Sequence, residues 1–177
     1  TGWAPKTLLM ERISGREVVN SNVIWDDTNS VVSETRLPEL DLTEVHPLDD
    51  RMKVNVLDPY SAVLRLLNQI EKTGDCTSSY EIYDGRRRSR IYFEKIGKIV
   101  LEQDRPGVFT GSAMVCDVKF DPIGGHRINP KWRSNKDQNG RVKVFFARPL
   151  ESQVMPVRIE VKSWIGKIIG RLDLRQM

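Results

Sequence analysis

The chain has 177 residues, 39% hydrophobic and 29% charged, with a net charge of +4 and a pI near 9.1. That size and apolar content suit a folded chain with its own core and exclude a disordered one, and no run of 18 apolar residues marks a membrane-spanning helix. The 24 acidic residues interleave with the 28 basic ones, so no basic stripe identifies a nucleic-acid module, and no nucleic-acid partner is expected.

The sequence opens at Thr1 rather than at a methionine and is read as a single domain, 1–177, trimmed at its N-terminus, with a removed signal peptide expected upstream. Three β-branched runs follow, Lys6 to Ile13, Arg16 to Trp25 and Ser30 to Leu37. Turn chemistry separates them, so they predict an antiparallel meander. The acidic, proline-containing stretch from Leu37 to Asp50 reads as a surface loop.

One helix is well signalled in DPYSAVLRLLNQIEK. Asp58 suits the N-cap, Pro59 the first helical position, and Gly74 the stop. Val63, Leu66, Leu67 and Ile70 recur at spacings of three and four, which predicts the buried stripe. Strands then return at Ser79–Tyr83, Arg87–Ile96, Lys98–Gln103, Ser112–Phe120, Arg141–Ala147, Val154–Val161 and Trp164–Leu174. The class is mainly β and antiparallel with one main helix.

Two constellations carry candidate chemistry. The first is YEIYDGRRRSRIYF, in which Asp84-Gly85 predicts a two-residue hairpin turn. Counting out from it opposes Tyr83 to Arg86, Ile82 to Arg87 and Glu81 to Arg88. One face then carries Glu81, Tyr83, Arg86, Arg88 and Arg90 and reads as solvated. The other carries Tyr80, Ile82, Ser89, Ile91 and Phe93 with one misfit, Arg87, whose guanidinium needs a partner or a ligand. The second is FDPIGGHRINP, where the strand ends at Asp121-Pro122 and Gly124-Gly125 deliver His126 and Arg127. His126 reads either as an acid/base or an anion ligand beside Arg127, or as a ring that bonds a carboxylate or carbonyl to lock the loop.

Catalytic motifs are missing: no nucleophile elbow, zinc-protease helix, P-loop or dinucleotide fingerprint occurs. His46 is the one other histidine, so no local pair suits a metal, and neither metal nor cofactor is expected. Asp26-Asp27 and Asp49-Asp50 read as solvated loop carboxylates. Cys76 and Cys116 fit two readings, a bridge closing about 40 residues and worth roughly 4 kcal/mol, or two free thiols.

The order of these blocks resembles an uncharacterised proteobacterial envelope family, DUF3108. The resemblance runs from about Val56 to Leu172 and rests on the DPYSAVLRLL helix, on Cys76 before YDGRRR, and on MVCDVKFDPIGGHR before the C-terminal strands. Residues 1–55 fit as upstream strands and an acidic loop, and 56–172 as the family-like region. Ser89-Arg90 departs from the pattern, where an apolar start to the strand is usual.

The resemblance implies a periplasmic address, a Cys76–Cys116 disulfide and no enzymatic activity. It also implies one curved antiparallel sheet, a β-roll or open barrel similar to lipoprotein carriers. Asp84, Gly85, Arg86, Arg87, Arg88, Gly125, His126 and Arg127 carry over by position as motif residues. The expectation is a non-catalytic envelope protein that holds a lipid, lipoprotein or other amphipathic component in the sheet's concavity, with Arg87, His126 and Arg127 at its polar end. A scaffold for a protein partner is the alternative, and phosphate or nucleic-acid binding through RRRSR the third reading.

Overall fold

Hydrophobic alternation becomes strand almost wherever the sequence offers it. The computed structural model describes residues 3–14, 17–39, 41–126, 128, 141–151, 153–163 and 166–176. Among these described residues nine antiparallel strands form: β1 (Thr7–Ser14), β2 (Glu17–Trp25), β3 (Val31–Leu37), β4 (Ser78–Tyr83), β5 (Arg88–Leu101), β6 (Gly111–Gly124), β7 (Val142–Ala147), β8 (Met155–Ser163) and β9 (Gly166–Arg171). One helix, α1 (Pro59–Thr73), stands between β3 and β4. The fold is mainly β with one main helix, as expected, and among the described residues no sheet closes into a barrel.

The expected single sheet is corrected to two, a three-stranded one ordered β1-β2-β3 and a six-stranded one ordered β4-β5-β6-β7-β8-β9. Alternation tells which face a residue takes, but not which strand lies beside it. Two expected strands, Arg87–Ile96 and Lys98–Gln103, are one, because β5 runs on through Gly97. The expected stop at Asp121-Pro122 also moves, since β6 continues to Gly124. Pro122 lies beyond the Met114–Val118 segment that pairs with β7, so on that side its missing N–H removes no ladder bond.

The helix begins where local chemistry puts it. Asp58 Oδ1 accepts from the N–H groups of Tyr60 (2.8 Å) and Ser61 (3.1 Å), and Gly74 ends the helix at φ +66° with its N–H on Ile70 C=O (2.8 Å). The buried stripe is Ala62, Leu66 and Ile70, whereas Val63 is 42% exposed. The alanine at a spacing of four displaced the valine that the pattern favoured.

The chain falls into two compact units. The first comprises the described residues of Thr1–Arg65, Tyr80–Ile91 and Asp121–Ser134, around a core of Leu8, Val23, Trp25, Val56 and Tyr83. The second comprises those of Leu66–Ser79, Tyr92–Phe120 and Asn135–Met177, around Leu101, Ala113, Val115, Phe145, Ala147 and Val157. Cys76 and Cys116 form the disulfide, and both are fully buried in the second unit. The β7–β8 register shifts between Phe145, which faces Arg158, and Phe146, which faces Pro156. Val157 is the extra residue of that bulge.

Candidate functional site

The hairpin forms one residue later than Asp84-Gly85 alone suggests. The Asp84 N–H donates to Arg87 C=O at 3.3 Å, so the chain reverses over Gly85 and Arg86, with Gly85 at φ +82°. Asp84 organises the turn. Its Oδ1 accepts from the N–H groups of Arg86 (3.0 Å) and Arg87 (2.7 Å). The register moves by two, so each residue keeps its face.

The arginine expectations are inverted. Arg87, the expected ligand residue, is half exposed and folds back on Asp84 Oδ2 through Nε (2.9 Å) and Nη2 (2.7 Å). Arg88, expected at the surface, is 17% exposed and donates to Glu81 (3.1 Å) and to Met52 C=O (2.6 Å). Arg90 also pairs with Glu81. The face expected to be wet instead carries Tyr83 into the first core at 2% exposure. Local register could not show that another sheet lies over it: a Cβ on Gly85 would sit 3.0 Å from Val23 and 3.3 Å from Ser21, both on β2.

The second constellation takes its locking reading. His126 Nε2 lies 3.2 Å from Arg88 C=O and 3.2 Å from Ser89 Oγ, so the neutral ring donates toward the hairpin backbone. Desolvation pushes its pKa below the ordinary histidine value, against the upward pull of the Arg88 carbonyl, and the Arg87 charge adds to the depression. The His126 backbone joins the acidic loop. His46 N–H donates to His126 C=O (2.8 Å), Gly125 N–H to His46 C=O (3.1 Å), and Ile128 N–H to Glu44 C=O (2.8 Å). The glycines are what permit this approach. A Cβ on Gly125, at φ +72°, would lie 1.9 Å from Arg86 O, and one on Gly124 would lie 2.8 Å from Leu48 Cδ1. Arg127 lies outside the described residues.

The acidic loop is therefore a wall rather than a free surface excursion. It carries two short 3-10 turns, Leu42–Glu44 and Asp50–Lys53, started by the side chains of Asp41 and Asp49. Together with β3 and the hairpin tip it encloses a cleft of about 800 Å³. Leu37, Leu42, Val45, Pro47 and Leu48 supply its apolar lining, and Gly85, Arg86 and Gly125 of the expected motif also line it.

The charged lining is what the sequence reading missed. Glu34 and Arg36 stand on β3 opposite Val23 and Ser21, both buried, so register turns them toward the core side. Glu34 accepts from Tyr83 Oη (2.6 Å) and pairs with Lys53, which also reaches Asp50 (3.3 Å). Burial and the Glu34 carboxylate push the Tyr83 pKa well above the phenol range. Burial disfavours the Lys53 charge, but Glu34 and Asp50 outweigh it and raise that pKa. Arg36 differs: its Nε is buried and has no hydrogen-bond acceptor among the described residues. The usable signal was the alternation of Glu34 and Arg36 along a strand whose partner, Val23, reads as core.

Among the described residues no cluster of three or more His, Cys, Asp or Glu could hold a metal, and no helix is long and apolar enough to cross a membrane. A family model described as protein of unknown function (DUF3108) matches residues 4–174. No curated protein and no solved structure matches.

Proposed function

The chain belongs to the DUF3108 family, with β1–β3 inside the matched region, and from that premise we propose that it is a non-catalytic periplasmic protein whose first-unit cleft holds an amphipathic envelope component with an acidic head. The observation that carries this reading is the buried Arg36 Nε–H without an acceptor, at the wall of a cleft otherwise lined by Leu37, Leu42, Val45, Pro47 and Leu48. An unsatisfied buried donor costs about 1–3 kcal/mol, and a carboxylate or phosphate head would satisfy it while an apolar body covers the leucines. The ligand class is the one expected from sequence; Arg36 replaces Arg87 as its polar contact.

Binding through RRRSR draws no support, because Arg87, Arg88 and Arg90 are closed on Asp84 and Glu81. A protein-partner scaffold finds some support in Leu9, Ile13, Val18 and Ile24, which are exposed on the outer face of the three-stranded sheet. Native mass spectrometry of the protein isolated from the cell envelope separates the two readings. The cleft reading expects a bound mass that dissociates on denaturation and is lost in Arg36→Ala. A bare native mass, or a bound mass indifferent to Arg36, overturns it.

A further inference from the structure

The second unit has its own concavity, of about 520 Å³, on one face of the six-stranded sheet. Ile96, Ile99, Leu101, Val115 and Phe145 give it apolar ground, and Lys98, Lys143, Arg158 and Lys167 supply four cations from β5, β7, β8 and β9. The disulfide lies on the other face, because Cys116 follows Val115 in the alternation of β6.

The charge on this face is arranged at a cost. Across β8 and β9, Arg158 stands directly opposite Arg171 and Lys162 directly opposite Lys167. Directly opposed like charges destabilise a sheet, and here two such pairs share one face. Protein carboxylates relieve part of this. Glu160 accepts from Arg158 (2.6 Å) and Lys167 (2.7 Å), and Asp104 takes Arg171. Buried Asp117 lies opposite Lys143 in register. Lys98, Lys143 and Lys162 make no ion pair with a described residue, and Arg158 Nε is buried without an acceptor while its guanidinium sits 5.5 Å above the Phe145 ring.

We propose that this face is a second binding site, independent of the first cleft, for the multiply charged phosphate head of an amphiphile. The head is held among Lys98, Lys143 and Arg158, and the apolar body lies on Ile96 and Ile99. A single carboxylate would leave most of the opposed cations unrelieved. Lys143 stands directly opposite Glu160, the carboxylate on which Arg158 (2.6 Å) and Lys167 (2.7 Å) converge, so the three cations gather around one point that adjacent phosphate groups can bridge. Ile96 and Ile99 are 54% and 48% exposed beside these cations, the neighbourhood that a tail next to a phosphate would cover.

Calorimetric titration with geranyl diphosphate, inorganic pyrophosphate and geraniol tests head and tail separately. Geranyl diphosphate should bind at least tenfold more tightly than pyrophosphate, geraniol should not bind, and the affinity should fall steeply with salt. Lys98→Ala/Lys143→Ala, which removes no internal ion pair, should cost at least tenfold in affinity at unchanged Tm. Ile96→Ser should weaken geranyl diphosphate alone. Equal affinity for pyrophosphate and geranyl diphosphate would make this a site for free anions and overturn the amphiphile. Geraniol binding as tightly, or no binding of any probe, overturns the site altogether. Arg36→Ala should leave this titration unchanged, so failure here is separate from failure of the first cleft.

Discussion

The two clefts use their cations in opposite ways. Around the first cleft several cations are consumed internally: Lys53 by Glu34 and Asp50, Arg87 by Asp84, Arg88 by Glu81 and a backbone carbonyl. In the second, opposed cations outnumber the carboxylates between them, and three lysines have no ion-pair partner among the described residues. The conspicuous arginine run is therefore architecture, while the basic binding face is assembled from residues that no sequence window contains together. The regions also differ in how they are held. The first depends on close backbone approach at Gly85 and Gly125 and on local ion pairs, and the second on a disulfide beside an aliphatic and aromatic cluster.

The largest effect should come from the covalent link. Cys76→Ser/Cys116→Ser is expected to lower stability to urea by about 4 kcal/mol for a loop of this length, with amide exchange rising first in β6–β7. Equal loss of protection in β1–β3 would break the distinction between the two modes of support. Next comes Gly125→Ala, which drives a Cβ into Arg86 O at a left-handed backbone position; a loss of about 3 kcal/mol is expected. Exchange should then rise at Glu44–His46 and in the hairpin, with geranyl diphosphate affinity preserved in whatever remains folded. Unchanged stability would mean that the backbone junction supports nothing.

Within the run itself, Arg88→Ala should cost about 2 kcal/mol, since it strips a partly buried carboxylate and a carbonyl of their donor. Arg87→Ala should cost under about 0.5 kcal/mol, as exposed pairs do. Urea midpoints of the two variants side by side check that order, and equal losses would restore Arg87 to importance. The smallest effect is on pH dependence. Both histidines of the chain belong to the first unit, and the folded-state pKa of His126 is depressed, mainly by desolvation. A depressed histidine binds fewer protons folded than unfolded. Its contribution is therefore complete above the ordinary histidine value and is lost as the pH falls through that value toward the folded one. His126→Gln should flatten this part of the stability profile near pH 6 and leave the second cleft's titration unaltered.

Local chemistry made the strands and the helix caps legible. Asp58, Pro59 and Gly74 act through neighbours one to four positions away, and strand alternation survived even a two-residue change of hairpin register. Relations across the chain were not legible. The burial of Tyr83 depends on β2 lying over it, and Arg88 finds Met52 across 36 positions. Lys98 and Lys167 line one concavity only after the three strands between β5 and β9 have been ordered. The ambiguity at His126 lasted for the same reason, because its acceptor, the Arg88 carbonyl, is fixed by the turn of a different hairpin.

The bulge at Val157 gives β8 one residue of slack. With Pro156 opposite Phe146 and Arg158 already opposite Phe145, losing Val157 would close the bulge and leave every later pair, and so the basic face, where it is. Beyond the bulge there is no such reserve: while Arg158 stays opposite Phe145, losing Ile159 would turn Glu160 and Lys162 toward the disulfide side and Val161 toward the concavity. Members of the family should accordingly vary in length at the turns and at the bulge, and keep the length of β8 beyond it fixed.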